Sequence, residues 1–415
     1  MKPAEAARPG ALDVAAWGLS VLMVLVYTQP WVMFAPDTDS MADATNSGPL
    51  RAMYFAMYAG ALLVLALRPW AVVRGLIAQP FLIALLLVAA ASLFWSVTPD
   101  QTVRRVVGVT LTTLSGVALG ARWRWSTMTE ILATGFAIIA VLSLLLGALL
   151  PSVGRMTELF PGAWRGVFSE KNGFGGLMAF AVLIFAGAAL LKPRRAPLWW
   201  PMAALALGLL VLSTSKTSLV SLMLGIAAVG FVLLVRRGGA VAVIATYVTV
   251  VGLVALGAGV VLAPDTFLAI LGKDATFTGR TRIWAAITRL IDERPWLGYG
   301  YGAVWTDTSG WGPLARIVKQ AGFTPQHAHN SWLEQWLGLG LVGLWAWVLT
   351  YFTTLGRTLV AIFRHPGALV AFPFLVVFTV MSLTESIAFT YNDLRWVMFV
   401  ALSVQLARPR GDEPV

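Results

Sequence analysis

Two arginines two residues apart, Arg280 and Arg282, and two histidines two residues apart, His327 and His329, are the side chains in this sequence best suited to chemistry. They share one stretch, 264–329, with Lys273, Arg289, Arg294, Arg316 and Lys319. A guanidinium group is planar and forked, so it forms paired hydrogen bonds to phosphate oxygens. A departing diphosphate gains charge in the transition state, and cations already in place accelerate its loss. A neutral imidazole can take a proton from a sugar hydroxyl at physiological pH. The stretch is therefore read as a water-facing anion site with a proton acceptor beside it.

Each residue also has a plainer reading. Arg280 and Arg282 stand at the entry of an amphipathic helix, where free backbone N–H groups also favour anions. Ile283, Trp284, Ile287, Leu290 and Ile291 form its apolar face, and Pro295 follows its end. A second amphipathic stretch from Pro313 puts Leu314, Ile317, Val318 and Ala321 on one face and Arg316 and Lys319 on the other. Both helices are expected to lie on a membrane surface. For Arg289, Arg316 and Lys319, such anchoring competes with ligand binding. The His-x-His spacing of His327 and His329 suits a metal, but no carboxylate or cysteine cluster completes a site, so none is assigned. A purely structural interfacial histidine is the other alternative. Asn330 is placed to cap the long helix that follows, in which Gly338, Gly340 and Gly343 permit close packing. Outside the stretch, Arg165 and Lys171 precede one apolar segment. Lys216 sits in a tight turn, Ser213 to Ser218, that holds it near the bilayer surface.

The elements that must position these groups are membrane helices. The 415 residues are 58% hydrophobic and only 12% charged, with a mean hydropathy of +0.79, which excludes an ordinary soluble domain. Strand-type alternation is absent, so an outer-membrane barrel is not expected. The absence of cysteine removes disulfides and thiolate metal sites. Twelve spans are expected, at about 14–35, 51–67, 76–95, 104–121, 128–150, 172–191, 198–214, 217–235, 240–263, 330–356, 366–384 and 394–408. They form an all-α polytopic bundle, a single domain over 1–415, with the helical loop 264–329 between the ninth and tenth spans.

Alternate connections carry Arg68 and Arg74, Arg122 and Arg124, Lys192 to Arg195, Arg236 and Arg237, and Arg357 and Arg364, with Lys2, Arg8, Arg408 and Arg410 near the termini. Among the internal ones the only acid is Glu130. By the positive-inside rule this side, with both termini, is cytoplasmic. The net charge of +11 is thereby explained by topology, and no nucleic-acid partner is inferred. The opposite side holds Asp37, Asp39, Asp43, Asp100, Glu158, Glu170 and the 264–329 loop. Its bases need a further reason, which an anionic ligand supplies; snorkelling to lipid phosphates is the competing explanation for residues such as Arg104 and Arg105. Away from their ends the spans contain essentially no ionisable residue, which weighs against an ion-driven transporter.

Five pieces, in order, resemble the O-antigen ligase and polymerase superfamily over roughly 160–345: Arg165-Gly-Val-Phe-Ser-Glu-Lys-Asn-Gly-Phe-Gly, Ser213-Thr-Ser-Lys-Thr-Ser, Thr278-Gly-Arg-Thr-Arg-Ile-Trp, Pro295-Trp-Leu-Gly-Tyr-Gly and His327-Ala-His-Asn-Ser-Trp-Leu-Glu. The resemblance implies an inner-membrane glycosyltransferase of bacterial surface-polysaccharide synthesis. Such an enzyme takes glycan from an undecaprenyl diphosphate carrier at the periplasmic face, with neither metal nor cofactor. It implies Arg280 and Arg282 as the diphosphate clamp and His329 as the base. Lys216 falls where ligases carry an arginine in a Ser-Arg pair, and this wording is similar to the exopolysaccharide polymerase branch.

The expected reaction is therefore inverting transfer of glycan to an acceptor hydroxyl, by a repeat polymerase. The alternatives are a ligase acting on lipid A–core or another acceptor, and a lipid-linked glycan flippase, which the uncharged spans disfavour. Lys216, Lys171, Arg165, Arg289, His327 and Asn330 are expected to contact diphosphate or glycan. The expected partners are the lipid-linked donor, the glycan or lipid A–core acceptor, the bilayer and other polysaccharide assembly or export proteins.

Overall fold

Long apolar runs with few breakers fold as helices because each helix satisfies its own backbone hydrogen bonds, which a bilayer demands. In a computed structural model of the chain, residues 10–29, 48–158, 160–262, 279–363 and 365–408 are described. Asp37, Asp39, Asp43, Lys2, Arg8, Lys273, Arg364, Arg410 and the part 264–278 of the loop lie outside the described residues.

The main helices are α1 (Ala11–Tyr27), α2 (Gly48–Ala66), α3 (Pro69–Ile77), α4 (Pro80–Ala91), α5 (Pro99–Arg122), α6 (Trp125–Leu149), α7 (Lys171–Leu191) and α8 (Ala196–Leu212). They continue with α9 (Lys216–Val235), α10 (Gly239–Leu262), α11 (Arg280–Glu293), α12 (Pro313–Ala321), α13 (Ser331–Ile362), α14 (Ala368–Ser382) and α15 (Leu394–Leu406). No strand is present among the described residues; Arg155 and Trp164 form one isolated bridge.

Helix occupies each of the twelve expected segments, but not all are equally long. Among the described residues, five helices are long and apolar enough to cross a bilayer: α6, α7, 193–212, α9 and α13. The count is six if α2 and α3, which meet at a 97° bend, are one broken span. Pro80, at the start of α4, divides the expected 76–95 stretch, because Pro disfavours helix in the residue before it, and Pro69 starts α3 within the expected connection between two spans.

The core forms around α15, whose residues are nearly all buried despite its short length. Trp396 and Phe399 stack with centroids 5.3 Å apart, and Trp347, Phe374 and Phe378 extend the aromatic cluster. α5 approaches α15 through Gly116 and Gly120. A Cβ there would lie 2.7 Å from the Val397 carbonyl oxygen and 2.5 Å from that of Ala401. Small residues allow this closeness, and van der Waals packing holds it where water supplies no hydrophobic drive.

Charges pair at one end of the bundle. Arg122 meets Asp13, and the buried Glu130 lies between Lys192 and Arg195, the latter at 3.1 Å. Arg236 donates to the Ile362 carbonyl at 3.0 Å and Arg357 to that of Ala78 at 2.7 Å. The lone acid in the basic connections thus has a local reason: it joins the starts of α6 and α8.

The segment 295–302 behaves differently from a surface loop. Gly340 takes φ +64 and breaks α13. Into that break the segment donates from Tyr299 to the Leu337 carbonyl (3.0 Å) and from Gly300 to that of Gly338 (2.9 Å). Leu341 N–H donates back to Pro295 O at 2.8 Å. Backbone groups released by the break are thereby re-paired. Gly338 and Gly340, expected only to ease helix packing, instead form a socket for this segment. Arg105 does not snorkel either; it is buried and donates to the Gly302 carbonyl.

The amphipathic helices also depart from expectation. The apolar face of α11 (Ile283, Ile287, Leu290, Ile291) packs against Ile317 and Ala321 of α12 and Leu337 of α13. The pair makes its own small core instead of resting on lipid. Arg316 and Glu293 clamp it from outside in a two-pronged ion pair.

Candidate active site

The starts of α7, α9 and α15 and the ends of α1 and α14 come together at the other end of the bundle. They enclose a cavity of about 480 Å³, to which Arg280 and His327 are added by the loop region. Lys171, Lys216 and Arg280 each occupy the first position of a helix. First-turn N–H groups and the positive ends of helix dipoles therefore accompany their side-chain charges. Lys171 is almost buried; its ammonium donates to Thr214 Oγ1 at 3.0 Å and lies 3.8 Å from the Phe160 ring centroid. Arg395, held by Asp393 through Nε contacts of 2.9 and 3.1 Å, adds a fourth cation to the lining; Glu170 and Glu385 are its acids. Four cations against these two carboxylates and the Asp393 that pairs with Arg395 leave the cavity electropositive.

Glu385, in the loop between α14 and α15, organises one wall. Its Oε1 accepts from Arg280 Nη2 at 2.6 Å, and its Oε2 lies 3.1 Å from His329 Nδ1. Burial alone would push this carboxyl up; the His329 hydrogen bond and the Arg280 charge outweigh it and hold the group at about 2. An ionised carboxylate only accepts, so the 3.1 Å contact of His329 Nδ1 with Oε2, shorter than the 3.5 Å approach of Arg280 Nη2 to the same nitrogen, favours the tautomer with its proton on Nδ1. Nε2 is left with its lone pair, as a base requires.

His327 has the opposite tautomer. Its Nδ1 accepts from the His329 backbone N–H at 3.1 Å, which puts its own proton on Nε2. Burial, followed by the neighbouring His329, lowers His327 to about 3, so it remains neutral. Its ring centroid is 4.0 Å from that of His329. His329 lies just outside the cavity lining, with 30% of its side chain exposed. Its φ of +50 is unusual for a residue with a Cβ, and the His327 contact and the Asn330 cap hold it there.

Of the residues expected at the site, Arg280, Lys216, Lys171 and His327 line the cavity and His329 adjoins it. Arg282 and Arg289 lie on the exposed side of α11, outside the lining. Arg165 is turned to the Val153 carbonyl at 2.9 Å and braces the loop before α7. Asn330 is the expected cap: its Oδ1 accepts from Trp332 N (2.9 Å) and Leu333 N (3.1 Å). Sequence reasoning missed Glu385, Glu170 and Arg395. For the first two, position at a helix end on the same side as the loop was the available signal.

Glu385 also supplies the carboxylate that the His-x-His pair lacked: His327, His329 and Glu385 bring donor atoms within 4.8 Å of one another. Here those donors are engaged, His327 Nδ1 by a backbone N–H and Glu385 by a guanidinium. The chemistry of the set matches an arginine clamp better than a divalent ion, which Arg280 would repel.

Apolar spanning helices with a cation-rich cavity at one end define an integral membrane protein with a built polar site. Residues 201–348 match the family model described as O-antigen ligase. The O-antigen ligase of Pseudomonas aeruginosa is 31% identical over 349 residues, covering 82% of this chain and 79% of the relative. The exopolysaccharide production protein ExoQ of Rhizobium meliloti is 28% identical over 280 residues, 64% of this chain and 61% of that protein. The chain belongs to the O-antigen ligase family.

Proposed function

We propose that the protein is a glycosyltransferase of bacterial cell-surface polysaccharide synthesis, acting on glycan carried by a polyprenyl diphosphate at the periplasmic face of the inner membrane. The observation that carries this reading is the juxtaposition of three helix-start cations around one cavity with the Arg280–Glu385–His329 cluster. Arg280, Lys216 and Lys171 neutralise the diphosphate as it departs. His329 Nε2 takes the proton of the acceptor hydroxyl, and Glu385 stabilises the resulting imidazolium. The hydroxyl oxygen bonds to the anomeric carbon as the carbon–diphosphate bond breaks, so in-line attack inverts that centre. Holding both chains in one cavity supplies much of the rate. The charge pairing at the opposite end of the bundle, with its excess of arginine and lysine, supports placing that end in the cytoplasm.

The test is transfer by the purified protein in proteoliposomes with a lipid-diphosphate glycan donor. Arg280→Ala and His329→Ala should each abolish it. Full transfer by both variants would refute the roles given to Arg280 and His329, and absence of transfer by the unaltered protein would refute the enzyme reading and favour a flippase.

Two acceptors are compatible with this chemistry. Lys216 in the turn Ser213 to Ser218 favours a lipid-linked repeat, and hence a polymerase; the longer match to an O-antigen ligase favours a terminal acceptor such as lipid A–core. In a deletion strain, single repeats at the surface identify a polymerase, whereas polymer left on its carrier identifies a ligase.

A further inference from the structure

One half-buried carboxylate has no part in the reaction just described. Glu334, in the first turn of α13, has its two oxygens fully engaged. Oε2 accepts from the Ala328 backbone N–H at 2.8 Å and from Ser386 Oγ at 3.0 Å, and Oε1 accepts from Trp305 Nε1. These donors come from three separate segments. Ala328 lies between His327 and His329, Ser386 follows Glu385, and Trp305 follows the segment that fills the α13 break. Ser331, one turn earlier, makes the same connection: its hydroxyl donates to the Glu385 carbonyl at 2.8 Å and accepts from Ile387 N and Ala388 N at 2.9 and 3.0 Å.

We propose that Glu334 is a positioning residue that sets the distance between His329 and Glu385, with Ser331 as its partner. This rests on the reading of His329 as the base. The base and its orienting carboxylate stand 56 residues apart on two loops, and no direct backbone bond joins 327–329 to 385–386. Glu334 binds the residue before one and the residue after the other. A carboxylate in a low-dielectric site, rigid in a helix and accepting three hydrogen bonds, fixes such a spacing more firmly than apolar packing does. Freed from it, either loop can shift, and a displacement of about 1 Å at reacting groups lowers turnover about 10²-fold.

The experiment uses the full-length protein in proteoliposomes with a polyprenyl-diphosphate glycan donor, comparing Glu334→Ala, Glu334→Gln, Ser331→Ala, Glu385→Ala and His329→Ala. Glu334→Ala should lower kcat about 10–100-fold with donor KM within about twofold. Glu334→Gln should lose less, because one oxygen still accepts from Ala328 and Ser386; it also serves if the alanine variant fails to fold. In the Glu385→Ala background, Glu334→Gln should add almost nothing, since the contact it maintains is already gone. An unchanged kcat, a raised KM alone, or a full additive loss in the double variant would overturn the proposal. If His329→Ala retains wild-type kcat, the base assignment itself fails, and that result is separable from the Glu334 outcomes.

Discussion

Replacing Glu385 by glutamine tests the site at its most constrained point. The side chain keeps its shape but can no longer accept on both sides. If the amide oxygen faces His329 Nδ1, now 3.1 Å from Oε2, the amide NH₂ faces Arg280 Nη2, now 2.6 Å from Oε1, and two donors collide. If the amide turns over, its NH₂ faces Nδ1. The imidazole must then move its proton to Nε2, which removes the lone pair that would accept the substrate proton. Either orientation breaks one contact, and both lose the negative charge that steadies an imidazolium. A positioned general base contributes about 10²–10⁴-fold, so kcat should fall by about that factor, or ~2.7–5.4 kcal/mol at ~1.36 kcal/mol per decade. The assay is single-turnover transfer of labelled glycan from its lipid diphosphate in proteoliposomes, with thermal melting in detergent as the folding control. A folded variant whose rate stays within about threefold of wild type would refute the orientation argument.

Arg280→Ala should lose transfer and Arg282→Ala should keep most of it under the same assay, because only the first guanidinium lines the cavity. Gly340→Ala should lower the melting temperature and yield severely: φ is +64, and a Cβ would lie 2.2 Å from the Trp296 carbonyl atoms, a clash plus left-handed strain worth more than ~3 kcal/mol. Acid should weaken the fold in two stages. His327 is lowered from 6.5 to about 3, so its contribution is complete above 6.5 and declines below it as the unfolded chain takes up the proton. Glu385, lowered from 4.5 to about 2, contributes fully above 4.5 and is lost as pH falls towards 2. Melting curves of His327→Gln and Glu385→Gln across pH should each flatten their own stage. Chelator treatment should leave transfer intact, whereas added zinc should inhibit by competing with Arg280 for Glu385 and the histidines.

Much of this was legible in the residues themselves. Apolar run length and 3.6-residue periodicity depend only on near neighbours, so the helix segments, the apolar face of α11 and the Asn330 cap followed from the sequence. Arg280, Lys216, Lys171 and the histidines were identifiable because cations and imidazoles stand out in a chain so poor in charge. Their grouping was another matter. Glu385 meets Arg280 across 105 residues and His329 across 56, and Glu334 reaches Ser386 across 52. Nothing in local periodicity specifies such pairs; the path of the chain through the bundle does. The same holds for Arg282, whose outward direction follows from where its helix buries Ile283 and Ile287, and for Gly340, whose φ has meaning only because Pro295–Gly300 fills the gap. Sequence determined which segments are helical and which side chains carry charge, because both are short-range properties. Tertiary structure decided which charges meet, because a hydrogen bond or ion pair needs atoms within about 3 Å, and only the packed fold brings residues so distant in the chain that close.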